Sequence, residues 1–252
     1  MNQNYKSIFA LALSLSLFGC SQETDTNTQE ESIVQETENQ DDSAKEQDVE
    51  NENQEVSQMN IEPNNQESLT VLANKNNALD ESQVPSDLVT IDVPYAIENP
   101  EVRQLREEAS EQLSIMFDEA LSDGIELIAR SGYRSYNTQE ELYTNYVNAN
   151  GQEAADRFSA RPGTSEHQTG LAMDITSESV DLQLVESFED VPEGEWLAEN
   201  AHRFGFHLRY PEGKENITGY QFEPWHYRYF GEDLATHLYE NGLTYEEFLE
   251  QQ

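Results

Sequence analysis

His167 and Asp174 lie seven residues apart in the stretch "RPGTSEHQTGLAMDI" (161–175), with Gly170 between them. The run "LAMDI" has the composition of a buried strand, and a carboxylate inside such a strand needs a charged partner or a metal to offset its lost hydration. A catalytic zinc site takes three protein ligands from His, Asp, Glu or Cys and keeps one position open. His167 and Asp174 can supply two of them if the chain turns at Thr169-Gly170 and returns along the strand. His226, in "FEPWHYRY", can supply the third. Glu223 stands three residues before His226 with Pro224 between them, and that proline prevents a regular helix. Glu223 could therefore serve as a base for water without ligating the metal. The competing interpretation is that Asp174 ends a strand and His226 is a hydrogen-bonded core histidine. Spacing alone leaves both open.

Arg134, in "SGYRSYNTQEELY", follows an expected strand end, from which a guanidinium can reach into a cleft. Its planar fork suits a carboxylate such as a peptide C-terminus, although a structural salt bridge would use the same residue type. Of the remaining histidines, His202 and His237 fall in amphipathic helical stretches and His207 in the strand-like "FHLRY". None has acidic company at a suggestive spacing, and a structural place is expected for each.

The elements that must hold these side chains can be read coarsely. In "NPEVRQLREEASEQLSIMFDEALSDG", Val102, Leu105, Ala109, Leu113, Met116 and Ala120 recur at helical spacing, and Gly124 is the expected stop. "IELIAR" is expected as a buried strand. Asn137 is a candidate cap for a helix over "TQEELYTNYVNANG", and 152–158 for a short helix. "LAMDIT" and "FHLRYP" are expected strands, with the amphipathic helix "EGEWLAENAHRFG" between them. "YQFEPWHYRYF" is expected as a strand bent at Pro224, and the C-terminus as two short helices. The segment before the first helix, rich in short β-prone runs and interrupted by Pro85 and Pro94, should wrap the domain as an extended arm. Helices and strands do not alternate regularly, so an α+β domain with a small, largely antiparallel sheet and flanking helices is expected.

The chain carries 51 acidic and 13 basic residues over 252 positions, a net charge of −38. Residues 21–66 hold 14 acids and one base, Lys45, so most of the excess lies elsewhere. A surface this acidic, without a basic patch, excludes nucleic acid as a partner. It suits a salty or alkaline medium, where screening weakens self-repulsion.

Residues 1–20 have the layout of a secretory signal: Lys6, an apolar run from Ile8 to Phe18, then Gly19-Cys20. That run is too short to stay as a spanning helix. Cys20 is the sole cysteine, so an intramolecular disulfide is impossible. "LFGC" resembles the lipobox of bacterial lipoproteins, which implies Cys20 as the lipidated first residue; an ordinary cysteine in an uncleaved signal anchor is the alternative. Residues 21–66 are expected to form an acidic disordered tether, since so polar and self-repelling a segment cannot offset the entropy of ordering. The expected folded domain is 67–252.

"SGYRSYNTQEELY", "RPGTSEHQTGLAMDI", "WLAENAHRFGFHLRYP" and "GYQFEPWHYRY", in this order, resemble the VanY-type D-alanyl-D-alanine carboxypeptidases, zinc peptidases of bacterial cell walls whose fold is shared with the Hedgehog signalling domain. The earlier "ANKNNALDESQVPSDLV" resembles the arm that precedes the catalytic core in that family, so the likeness runs from about Val71 to Gly231. It implies Zn2+ as cofactor, His167, Asp174 and His226 as its ligands, and Glu223 as the base. It implies substrate contacts from Arg134, Gln139, Ser165 and Tyr210, with Arg134 also stabilising charge during the reaction. The implied substrate is the peptidoglycan stem peptide, cut at its terminal D-alanine. An L,D-carboxypeptidase on tetrapeptide stems, a peptidoglycan endopeptidase, or a non-catalytic zinc-binding wall lipoprotein are the alternatives; Glu223 argues against the last. The expected setting is the extracytoplasmic face of a bacterial membrane, held by a lipid on Cys20, with the protein as a monomer.

Overall fold

The computed structural model describes residues 59–252, which lie within one compact unit, Glu50–Gln252. Cys20, the signal-like segment and most of the acidic stretch lie outside the described residues. Met59–Gln66, which sequence reasoning placed in the tether, are part of the packed chain. Met59 and Ile61 pack beside Phe230, Leu234, Leu238, Tyr245 and Phe248, and the Leu72 amide donates to the Pro63 carbonyl. Two apolar side chains in an otherwise polar run are enough to seat it there.

A two-stranded ribbon pairs β1 (Leu88–Thr90) with β2 (Gln104–Arg106), antiparallel. Helix α1 (Glu107–Ser122) follows directly and buries Ala109, Leu113, Met116, Phe117 and Ala120 as one stripe. The helix starts later than the apolar spacing suggested, because Leu105 is buried as a strand residue opposite Val89. An apolar residue in phase with a helix can equally be buried by a ladder, and the arm supplies the pairing strand. Gly124, at φ +82°, ends the segment as expected.

The main sheet has four strands in the order β3-β4-β6-β5, all antiparallel: β3 (Ile128–Ser131), β4 (Ala172–Thr176), β5 (Phe206–Leu208) and β6 (His226–Tyr229). All five residues of β4 are buried, as a central strand requires. Helix α2 (Tyr136–Asn150) is capped by Ser135, whose Oγ accepts the Thr138 amide at 3.3 Å, and not by Asn137. The Glu101 carboxylate also accepts the Ser135 amide at 2.7 Å, a tertiary contact that fixes the helix start two residues earlier. Helix α3 (Gln152–Phe158) lies as anticipated.

Helix α4 (Pro192–Asn200) continues as a 3-10 turn to Phe204 and stops at Gly205. A one-turn helix α5 (Glu215–Thr218) occupies the polar loop before Tyr220. Only His226–Tyr229 of "YQFEPWHYRYF" is strand; the part before it turns at Pro224, with the His226 amide donating to the Glu223 carbonyl. Helices α6 (Glu232–Asn241) and α7 (Tyr245–Glu250) close the chain, α7 with a reciprocal Thr244/Glu247 capping box. The architecture is α+β with a small antiparallel sheet and flanking helices.

Candidate active site

Three local features bring His167, Asp174 and His226 together. Residues Glu166–Thr169 form a 3-10 turn that ends at Gly170, in the left-handed region at φ +67°. The turn into β4 needs glycine for its left-handed dihedral, and a Cβ there would also press on the end of the Leu88 side chain at 2.7 Å. Strand β4 then carries Asp174 directly opposite His226 in the ladder with β6. The turn is tied to the end of β3: the Arg134 amide donates to the His167 carbonyl at 3.1 Å, and His167 Nδ1 donates to the Gly132 carbonyl at 2.8 Å.

With Nδ1 engaged, His167 presents Nε2 to Asp174 Oδ2 at 3.5 Å. His226 presents Nδ1 to Asp174 Oδ1 at 3.2 Å, and the two imidazole rings meet edge to face with centroids 4.9 Å apart. One donor atom from each of the three residues falls within 4.8 Å of the others, and all three side chains are buried. Asp174 Oδ1, although at ion-pair distance, has no partner in hydrogen-bonding geometry. Two imidazoles and a carboxylate, buried and convergent with an unsatisfied lone pair, fit a divalent cation of the zinc type.

Glu223 reaches the same point from the turn before β6, with Oε2 3.6 Å from His226 Nδ1. Burial is the main cause that pushes its carboxyl up to about 7, partly countered by His226. Burial likewise drives His167 down to about 3, keeping it neutral. At His226 burial acts in the same sense but is outweighed by Asp174 and Glu166, which raise it to about 9.

These groups line a cleft of about 340 Å³, and Arg134, Gln139, Ser165 and Tyr210 line it with them. Arg134 Nε and Gln139 Oε1 are buried and lack partners, while Gln139 Nε2 donates to the Ala160 carbonyl at 2.6 Å. The Tyr210 ring sits 4.8 Å from that of His226 and 4.9 Å from that of Tyr220. Leu142, Tyr146, Phe158, Leu184 and Trp225 add an apolar wall that sequence reasoning did not single out. Glu166 was missed too, although it adjoins His167; its place depends on partners far along the chain. His202, His207 and His237 do not line the cleft. His202 stacks on Tyr239 at 4.0 Å, His207 Nε2 donates to the Leu243 carbonyl at 3.1 Å, and His237 packs on Phe248.

An α+β sheet with a buried His-Asp-His cluster and a carboxylate beside it defines a hydrolytic metallopeptidase type of site. Solved structures share the fold. The LdcB LD-carboxypeptidase superposes with a TM-score of 0.71 at 46% identity, over 74% of this chain and 87% of that one. A mutant of the vancomycin resistance D,D-pentapeptidase VanY, from a VanB-type resistance cassette and in complex with Zn(II), superposes with a TM-score of 0.60 at 37% identity, over 72% of this chain and 98% of that one. Among curated proteins, YodJ of Bacillus subtilis (strain 168) is 46% identical over 184 residues, 73% of this chain and 67% of YodJ. Residues 102–232 match the VanY family, D-alanyl-D-alanine carboxypeptidase, and the chain belongs to that family of enzymes.

Proposed function

We propose that the chain is a zinc-dependent carboxypeptidase that removes the terminal D-alanine of peptidoglycan stem peptides at the D-Ala–D-Ala bond. The observation that carries this reading is Glu223, a largely buried carboxyl standing beside three convergent side chains able to bind a metal, all four lining one cleft. His167 Nε2, Asp174 and His226 Nδ1 would hold the metal. Zinc at such a site supplies a Lewis acid that polarises the scissile carbonyl and makes water acidic enough to attack near neutral pH.

Glu223 takes a proton from the attacking water and returns it to the nitrogen of the departing D-alanine, the role of a carboxylate placed beside the water and outside the ligand set. Arg134 offers its fork to the substrate's terminal carboxylate or to the oxyanion that forms on attack. Gln139 Oε1, Ser165 and Tyr210 offer further polar contacts in the same cleft, and the apolar side chains that line it with them limit water at the reacting bond.

A second reading, cleavage of the L,D bond of tetrapeptide stems, is favoured by the greater likeness to LdcB than to the VanY mutant. Incubating the full-length protein with defined pentapeptide and tetrapeptide stems and identifying the released amino acid separates the two. D-alanine from the pentapeptide alone supports D,D cleavage, and release from the tetrapeptide alone supports L,D cleavage. Absence of hydrolysis of either by zinc-loaded protein rejects both. We also propose that Cys20 carries a lipid and holds the enzyme at the extracytoplasmic face of the membrane, a reading supported by the apolar run that ends in "LFGC". Labelled palmitate should enter the wild type and be absent from Cys20→Ala.

A further inference from the structure

His226 is approached from both sides of its ring. Nδ1 faces Asp174 and Glu223, while Nε2 faces Glu166 Oε2 at 3.5 Å. Both His226 Nε2 and Glu166 Oε2 are buried, and neither meets hydrogen-bond geometry with any partner, so each is the other's polar neighbour at ion-pair distance. The Glu166 carboxylate is itself immobilised through its other oxygen. Oε1 accepts Arg209 Nε at 2.8 Å and Arg228 Nη1 at 3.0 Å, and all three side chains are fully buried. Arg209 then grips Glu246 of α7 with two bonds, at 2.8 and 2.6 Å, and Arg228 Nη2 donates to the Leu69 and Val71 carbonyls of the N-terminal arm.

Two arginines and two carboxylates buried together are costly to assemble and are weak support for stability in themselves. Their arrangement here leaves one carboxylate oxygen aimed at the far nitrogen of an imidazole. Such a contact decides which ring nitrogen carries the proton and which is left with a lone pair.

We propose that Glu166 is a positioning residue for the metal centre: it keeps the His226 ring proton on Nε2, so that Nδ1 is the nitrogen offered to the metal. It does so from a support anchored at Arg209 and Arg228, and through them at the two ends of the folded chain. This rests on the reading of His226 as a zinc ligand. Glu166→Gln is the informative change. The amide can keep its oxygen on the arginines, but its NH2 then faces His226 Nε2 as a second donor and favours the tautomer with the proton on Nδ1. Loss of such an outer partner typically weakens metal affinity about 10–100-fold.

Zinc affinity of the full-length protein, measured by chelator competition, should fall by that range in Glu166→Gln. Glu246→Gln perturbs the same Arg209 from its other end without touching His226, and its zinc affinity should change less than about threefold, below that range. Equal losses in the two variants, or none in Glu166→Gln, overturn the positioning role. If Glu166→Gln does not fold, the zinc-loaded wild type still decides. Nitrogen-15 NMR of its His226 ring should show the proton on Nε2, and a proton on Nδ1 overturns the proposal. Should the wild type take up no stoichiometric zinc, it is the reading of the metal site that fails.

Discussion

Glu223 owes its properties to position more than to type. It sits in the turn at Pro224 just before β6, so it faces the His-Asp-His cluster from beside the strand that carries His226. Glu223→Gln keeps the side chain's size and removes its capacity to take a proton. Turnover of stem peptide should fall by about 10²–10⁴ with zinc content unchanged. Near-normal turnover in a zinc-loaded variant would reject the base, and a variant without zinc would make Glu223 a ligand. Asp174→Ala removes the one carboxylate that faces both imidazoles. It should abolish stoichiometric zinc binding in metal analysis while β4, buried along its whole length and paired on both sides, keeps the fold. Retention of tightly bound zinc would show that the metal uses other ligands.

At the scale of elements, β5 and the chain after α6 are joined through His207, which is buried and donates to the Leu243 carbonyl. Burial first, and Arg209 second, lower its imidazole from 6.5 to about 4. The unfolded chain therefore binds a proton at this site that the folded chain refuses between those two values. Stability contributed by the neutral ring is full above pH 6.5 and is lost as the pH falls toward 4. The total is on the order of 3 kcal/mol by the usual conversion of a pKa shift. Denaturant melts of chelator-treated wild type and His207→Gln, compared from pH 7 downward, should show a shallower acid loss in the variant. Parallel curves would mean that His207 does not couple folding to pH. The helix starts carry a related lesson. Ser135 and Asn137 are both good cap types, and the Glu101 carboxylate arriving from the arm selects Ser135. Similarly, Leu105 fits the helical stripe, and pairing of β2 with β1 claims it for the ribbon.

For the whole molecule the dominant quantity is charge, −38 over 252 residues. Like charges at this density repel across the surface, and salt shortens that repulsion from about 30 Å at 0.01 M to about 3 Å at 1 M. The buried Arg209–Glu166 and Arg228–Glu166 contacts are shielded from solvent ions and should be little affected. The thermal midpoint should thus rise with sodium chloride over that range, as net self-repulsion is screened. Calorimetry in which the midpoint falls steadily with salt would mean that attractive surface pairs, and not repulsion, govern stability.

His167, Asp174 and His226, which the structure brings into one cluster, stood out in the sequence as candidates because they sit in short, distinctive stretches. A carboxylate within "LAMDI", a histidine seven residues upstream and a Glu-Pro-Trp-His run left a structural interpretation open by spacing alone, and the resemblance of the surrounding motifs favoured the metal. The acidic balance and the α+β class were legible for the same reason, since composition and local periodicity are properties of the chain itself. Glu166 and the apolar cleft wall were not. Glu166 reads as one more acid in an acidic protein until Arg209, Arg228 and Glu246, which lie 43, 62 and 80 positions further along the chain, close around it. Leu142, Tyr146, Phe158 and Leu184 read as ordinary apolar positions until α2, α3 and the loop after β4 meet over the metal-ligand cluster. Contacts at such separations depend on which strands pair and which loops close. Those choices are decided by burial over the whole domain, so tertiary structure alone assigns these residues to the site.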